Sequence, residues 1–282
     1  MERIGTFRSP AAKARYHLVY QELLDRCPKP AEQHDIQTGY GTTRVYRWGP
    51  GDAPPIVLLS GMAATSGSWH EVIPGLSKHN PVYAIDTLGE PGLSVQTAPL
   101  KDQNDRARWL DQVLEGLDLT NVHLLGASAG GYSAANQAFR APQRLATVTL
   151  FDATLVVTQF RPIVLLSVVL LMTVRSKWLW RQVLKLWMGS AEVPEIIMTG
   201  IETYKAKLPP ALRPGENEIR SIKLPVLAIF ASRSVVHNAA KGAERARNWL
   251  RNGEVELWDM PHDLTDPDRF TQRVLDFVAV HS

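Results

Sequence analysis

Apolar residues recur along this chain in short unbroken runs, and the runs alternate with stretches of helical periodicity. Five of them, Ile56 to Ser60, Val82 to Asp86, Val122 to Gly126, Ala146 to Asp152 and Val226 to Ala231, lack the polar alternation of a strand with one wet face. Such runs read as strands buried on both sides, as in parallel sheets covered by helices. Upstream, Asp35 to Gly39 and Thr42 to Trp48 carry β-branched and aromatic residues around Gly39-Tyr40-Gly41 and read as a hairpin. Val255 to Met260 adds an eighth strand after a helix near Asn238 to Leu250. Ser9-Pro10 ahead of Ala11 to Asp25 predicts an opening helix, with Ser9 as N-cap, Pro10 in the first turn, and Pro28 and Pro30 stopping it. The expectation is an α/β fold, a mostly parallel eight-stranded sheet with helices on both faces. Ligands in such folds gather at the carboxyl ends of the strands.

Between Ala153 and Arg220 the alternation stops and a helical, apolar segment takes its place. Residues 1–152 and 221–282 are therefore expected to form one core, with 153–220 as a helical cap. Pro162 to Val174 is the most apolar run, bounded by Arg161 and Arg175. It is well short of the length a bilayer requires, so it reads as a buried or lid segment and not as a membrane span. In Lys177 to Met188, Trp180, Val183, Leu184 and Trp187 share one helical face, and Lys177, Arg181 and Lys185 form a basic stripe beside it. That helix reads either as a lid buried on one side and solvated on the other, or as an apolar pocket wall whose basic rim meets an acidic partner.

Composition narrows the classes. The 282 residues are enough for one domain with an insertion, and no Ser/Gly/Pro-rich linker divides them. Thirty-one Lys and Arg against 28 Asp and Glu leave a net charge of +3, without a basic tract, which argues against a nucleic-acid partner. From Ala153 to Arg220, nine Lys or Arg face five Glu and no Asp, so the positive excess sits on the cap. A lone cysteine, Cys27, excludes an internal disulfide and a Cys-rich zinc site, and fits a reducing compartment. Met1 to Cys27 lacks the apolar core of a signal peptide, so a cytoplasmic protein is expected. No His-x-x-x-His spacing occurs, and neither a metal nor a cofactor is expected.

The candidate chemistry lies at strand ends. Ser128 stands in Gly126-Ala127-Ser128-Ala129-Gly130-Gly131, directly after the strand Val122 to Leu125 and before the helical stretch Tyr132 to Phe139. Glycine-rich turns of this spelling also close ordinary βα units, but small neighbours between strand and helix are what a nucleophile elbow requires. The loop Gly61 to Trp69 follows another strand and is rich in small residues. The backbone N–H groups of Met62 and Ala129 could together form an oxyanion hole. Of the eight histidines, His262 alone directly follows the last strand, where the general base of a Ser…Asp…His order falls. His123, on a strand beside the elbow, reads as packed core.

These residues resemble the α/β-hydrolase superfamily over nearly the whole chain. Leu58-Leu59-Ser60-Gly61-Met62, Tyr83 to Ser94, Gly126 to Gly131 and Pro261-His262 carry the likeness, and the Asp86 to Ser94 stretch with Gly41-Thr42-Thr43 is similar to bacterial carboxylesterase-like members. The resemblance implies the α/β-hydrolase fold with a cap insertion. It also exposes two departures. Ser60-Gly61 stands where the family often has His-Gly, and Ser234, in Ala231-Ser232-Arg233-Ser234, stands where the triad acid is common. Some superfamily members, including some haloalkane dehalogenases, carry their acid at the end of the strand after the elbow helix, and Asp152 matches that place. Asp263, adjacent to His262, is a third option, and a Ser-His dyad or a lapsed site a fourth.

Three functions remain open. The first is a serine hydrolase cleaving an ester or thioester with a hydrophobic acyl group, with Ser128 as nucleophile, His262 as base and Asp152 as orienting acid. The second is an acyltransferase that receives its acyl group from an acidic carrier protein. The third is a ligand-binding protein that has lost efficient catalysis.

Overall fold

The computed structural model describes residues 4–51, 53–174, 176–190 and 193–282. Its chain order is β1 (Thr6–Phe7), α1 (Pro10–Leu24), β2 (Glu32–Thr38), β3 (Gly41–Trp48), β4 (Ile56–Leu59), α2 (Ile73–Leu76), β5 (Val82–Ile85), β6 (Val95–Gln96), α3 (Gln103–Gly116), β7 (Val122–Ala127), α4 (Ala129–Arg140) and β8 (Leu145–Phe151). It continues with α5 (Pro162–Val174), α6 (Lys177–Met188), α7 (Glu195–Thr203), β9 (Tyr204–Lys205), α8 (Glu216–Arg220), β10 (Val226–Ala231), α9 (Ala239–Trp249), β11 (Gly253–Trp258) and α10 (Pro267–Val280).

Eight strands run β2-β3-β5-β4-β7-β8-β10-β11 across the main sheet, and β6 joins it as a short pairing on β3. Only β3 runs against its neighbours; from β5 to β11 every pair is parallel. The unbroken apolar runs have their cause in this arrangement, because alternate residues of one strand enter two different cores. In β4, Val57 and Leu59 face the side covered by α3, α4 and α9, whereas Ile56 and Leu58 face the side covered by α1, α2 and α10. Burying each such side chain stabilises the fold by about 1.5–3 kcal/mol.

The opening helix starts as its sequence predicts. Ser9 accepts a hydrogen bond from the Ala12 N–H, and Pro10 occupies the first turn. The last strand ends two residues sooner than its apolar pattern suggests, because parallel register on β10 pairs Val226 with Gly253 and Ala231 with Trp258. Asp259 to Pro261 are thereby released to form the loop that delivers His262.

The segment from 153 to 220 holds α5, α6, α7, α8 and β9, which pairs antiparallel with β1 near the N-terminus. Its α6 buries Val183 and Leu184, and Trp180 and Trp187 pack with Leu184, Val193 and Met198. The basic stripe is less free than the sequence suggests: Lys177 pairs with Glu202 and Arg181 with Glu195, both carboxylates lying on α7. Of the two readings of Pro162 to Val174, a buried segment or part of a lid, the exposure of α5 goes against the first. Among the described side chains of this helix Val164, Ser167 and Leu171 are buried, and Ile163, Leu165, Leu166, Val168 and Val174 face outward. Arg175, which bounds that run in sequence, and Glu192, counted in the charge of the segment, lie outside the described residues.

Candidate active site

Ser128 lies between β7 and α4 with φ 52° and ψ −115°, a conformation that side-chain-bearing residues rarely adopt. Its neighbours make the turn possible. A Cβ on Gly126 would stand 2.3 Å from the Gly130 carbonyl oxygen, and one on Gly130 would stand 2.0 Å from that of Leu59. The backbone locks the strain in place: Ser128 N–H donates to Phe151 O at 2.9 Å, and Ser128 O accepts from Thr154 N–H at 3.2 Å. These bonds tie the elbow to the end of β8.

The loop after β11 presents His262 directly to Ser128. Its Nε2 lies 2.9 Å from Ser128 Oγ, and its Nδ1 lies 2.5 Å from Asp152 Oδ2. The tautomer that satisfies both contacts has Nδ1–H donating to the carboxylate and Nε2 accepting from the serine hydroxyl. Gly189, which ends α6, packs its backbone against Pro261, and Asp263 N–H donates to Met188 O, so the end of α6 braces this loop.

Asp152 directly follows β8, also at a positive φ of 38°, and is fully buried. Three N–H groups converge on its carboxylate: His262 Nδ1 on Oδ2, and Ala231 N at 3.0 Å and His237 Nε2 at 2.9 Å on Oδ1. Burial pushes the carboxyl up, but the hydrogen bonds from His237 and His262 more than offset it and hold Asp152 well below the usual carboxylate range. His237 is itself fully buried, and its Nδ1 meets Thr158 Oγ1 at 3.1 Å. With Nε2–H donating to Asp152, Nδ1 is left to accept the Thr158 hydroxyl, and both ring nitrogens are satisfied with the ring neutral.

Ser234, the residue at the place where the acid is common, is buried with a hydroxyl that has no hydrogen-bond partner among the described residues. Asp263 makes no hydrogen bond to the His262 ring, and burial pushes its carboxyl up. The structure therefore brings Ser128, His262 and Asp152 together and leaves Ser234 and Asp263 out.

Facing the elbow, the loop after β4 is shaped from behind by buried polar groups. Ser60 Oγ donates to Thr65 O at 2.8 Å, and Ala63, at φ 56°, donates its N–H to Glu90 Oε2 at 2.6 Å. The Met62 and Ala129 N–H groups donate to no protein acceptor among the described residues. A Cβ built on Gly61 would lie 4.0 Å from Ser128 Oγ, so the two loops are in van der Waals range. Asp86 anchors the arrangement: Oδ1 accepts from Ser66 N and Oγ, and Oδ2 from Tyr20 Oη and Leu93 N, which joins α1 to the loop after β4 and to the loop after β5. Among the described residues no cluster of three or more His, Cys, Asp or Glu could hold a metal ion.

Three contributors escaped sequence reasoning: His237, Glu90 and Asp86. His237 had one legible signal, its place in the loop after β10 at the carboxyl edge of the sheet. Asp86 and Glu90 fall in the stretch that carries the family resemblance, and the spacing alone gave no hint that both support the Gly61 loop.

Residues 54–173 match a family model described as alpha/beta hydrolase fold. The chain is 27% identical to "Carboxylesterase YbfK" of Bacillus subtilis over 97% of its own length and 96% of the relative's. It superposes on the crystal structure of that carboxylesterase, also called CesB, with a TM-score of 0.88, at 26% identity over 96% of this chain and 99% of the other. A second Bacillus subtilis relative, "Uncharacterized carboxylesterase nap", is 33% identical over 49% of this chain and 46% of its own length. The crystal structure of naproxen esterase from Bacillus subtilis shares the fold with a TM-score of 0.86 over 96% of this chain and 99% of its own, at 24% identity.

Proposed function

Because the chain is an α/β-hydrolase-fold protein of the carboxylesterase-like kind, we propose that it cleaves small-molecule esters through an acyl-enzyme on Ser128. The observation that carries this reading is the continuous hydrogen-bonded line from Ser128 Oγ through His262 to Asp152. In the first half-reaction Ser128 Oγ attacks the ester carbonyl as His262 Nε2 takes its proton. Asp152 holds the imidazole in the tautomer that can accept, and its charge stabilises the imidazolium that forms. The oxygen of the tetrahedral intermediate receives the N–H groups of Met62 and Ala129, whose loss one at a time would cost about 10² to 10³ in rate. His262 then gives its proton to the leaving alkoxide, and water activated by the same nitrogen releases the acid and restores Ser128.

A hydrophobic acyl group, in ester or thioester linkage, is the substrate we favour, on the strength of the apolar face that Trp180 and Trp187 give the cap. We place the protein in the cytoplasm, as the free, buried Cys27 fits a reducing compartment. Acyl transfer from an acidic carrier protein uses the same acyl-enzyme but would meet a rim on which Lys177 and Arg181 are already paired, so hydrolysis is preferred. The decisive experiment compares the native protein with Ser128→Ala on short and aryl esters. Turnover is expected to vanish with Ser128→Ala, and unchanged turnover overturns the mechanism. Labelling of Ser128 by a fluorophosphonate separates an enzyme from a lapsed site. Decay of the trapped acyl-enzyme in water, with and without added alcohol or amine acceptors, separates hydrolase from transferase.

A further inference from the structure

The face of the cap that carries α5 presents apolar side chains to the outside. Its buried residues Val164, Ser167 and Leu171 form one narrow stripe at helical spacing, by which the helix rests on the protein. Outward-facing side chains described on the rest of this helix are apolar: Leu166 is 64% exposed, Leu165 55%, and no charged residue occurs from Pro162 to Val174. On α6, Trp178 is 70% exposed as well. Monomeric proteins rarely leave so continuous an apolar face uncovered. With 13 residues, α5 is about 20 Å long, too short for a hydrocarbon core of about 30 Å but long enough to lie along its surface.

Charge collects at one end of this helix. A cleft of about 430 Å³ opens not over Ser128 but at the first turn of α5, where Arg161, Lys241 and Arg245 line it with no Asp or Glu among the lining residues. Lys241 and Arg245 are one turn apart on α9, a spacing at which like charges repel. Arg161 Nε donates to His237 O and Arg245 to Val157 O, so both guanidiniums are held by the backbone and keep donors to spare. None of the three cations makes an ion pair among the described residues, whereas Lys177, Arg181 and Arg220 are all matched by glutamates.

We propose that this face docks on an anionic phospholipid surface, with α5 lying along the interface and the Arg161, Lys241 and Arg245 cleft receiving a headgroup phosphate. Guanidinium forks match the geometry of phosphate oxygens, and the exposed leucines and valines would sit among the acyl chains. A second copy of the chain is a poorer occupant, because it would bring the same uncancelled positive charge to the contact. Each unpaired cation near such a surface strengthens binding about fivefold, so the three together give about 100-fold, and salt weakens the effect.

The test is sedimentation of the full chain with vesicles of phosphatidylcholine alone and of phosphatidylcholine with phosphatidylglycerol, at low and high salt. Binding is expected to the anionic vesicles, at least 10-fold weaker to the neutral ones, and reduced by salt. Lys241→Gln with Arg245→Gln should weaken it about 25-fold, and Leu166→Glu at least 10-fold, in proteins whose thermal midpoints and circular dichroism show them folded. Equal binding to both vesicles, no binding, or indifference to Leu166→Glu overturns the proposal. So does saturable binding of inorganic phosphate that survives Leu166→Glu without vesicle binding, which would make the cleft a site for a free anion. A concentration-dependent dimer abolished by Leu166→Glu overturns it in favour of a second copy. Sedimentation needs no turnover, so Ser128→Ala should bind as the native chain does, and failure here leaves the esterase reading untouched.

Discussion

The ends of β8 and β10 are neighbours in the sheet and solve the same problem in opposite ways. After β8 the chain turns through a positive φ and delivers Asp152 into a fully buried position where three N–H groups receive its charge. After β10 it delivers Ser234, also buried, whose hydroxyl finds no hydrogen-bond partner among the described residues. Yet β10 is not idle, since Ala231 N–H and His237, both from its end, hold one oxygen of Asp152 and leave the other for His262. A carboxylate can thus be supplied from one strand and positioned from the next.

The largest effect should come from removing the carboxylate. Asp152→Asn keeps the shape but can no longer stabilise an imidazolium, and it can place an N–H against Nδ1, so kcat is expected to fall about 10⁴-fold with KM little changed. Steady-state kinetics on an aryl ester would reveal this, and a loss below tenfold would point to a Ser-His dyad. The same variant should change the response to acid. With its folded pKa depressed, ionised Asp152 contributes stability that is present above the ordinary carboxylate range and lost as pH falls through that depressed value. Denaturant midpoints of the native protein should therefore decline on acidification more steeply than those of Asp152→Asn.

Moving the acid back sharpens the comparison. Ser234 N–H donates to Ala231 O while Ala231 N–H donates to Asp152, so the two positions share one residue of backbone. Ser234→Asp in the Asp152→Asn background is expected to recover about 10- to 100-fold of the lost kcat, as its carboxylate replaces the charge but not the fitted geometry. No recovery in a folded protein would mean that the loop after β10 no longer reaches His262.

What could be read from the chain follows the same division between local and assembled features. Five strands were legible because Ile56 to Leu59 and its counterparts are buried on both faces, which leaves an apolar run that no loop imitates. Ser128 was legible because the small residues around it stand together in one short stretch between a strand and a helix, although the contact that demands Gly130 comes from Leu59 on β4. The partnership of Asp152 with His237 was not, since 85 residues separate them and nothing local marks a histidine whose ring is satisfied by a distant carboxylate and Thr158. For the same reason the stripe of Lys177 and Arg181 read as free, because its partners Glu195 and Glu202 lie on another helix. The outward face of α5 escaped because an apolar run is spelled alike whether it meets a core or a boundary.

His237 should give the next effect in size. His237→Ala removes one of three donors to Asp152, orphans the Thr158 hydroxyl and opens a cavity, so stability and kcat should both fall, kcat by about 10- to 100-fold through misplacement of the carboxylate. His237→Gln offers an amide N–H in its place and is expected to restore kcat to within about fivefold of native. A role in positioning predicts that kcat moves and KM does not. Equal activity of the alanine and glutamine variants would reduce His237 to packing.

The smallest effect belongs to the other strand end. Ser234 buries a hydroxyl without a hydrogen-bond partner among the described residues, a state that costs about 1–3 kcal/mol relative to a satisfied group, whereas a methyl in its place makes no such demand. Ser234→Ala is therefore expected to raise the unfolding free energy by roughly 1 kcal/mol, read from urea midpoints, and to leave kcat within about twofold. The sign matters more than the size. If Ser234→Ala lowers kcat tenfold while stability rises, the hydroxyl is reaching the His262 side during turnover, and the two strand ends share the work that the resting structure assigns to β8 alone.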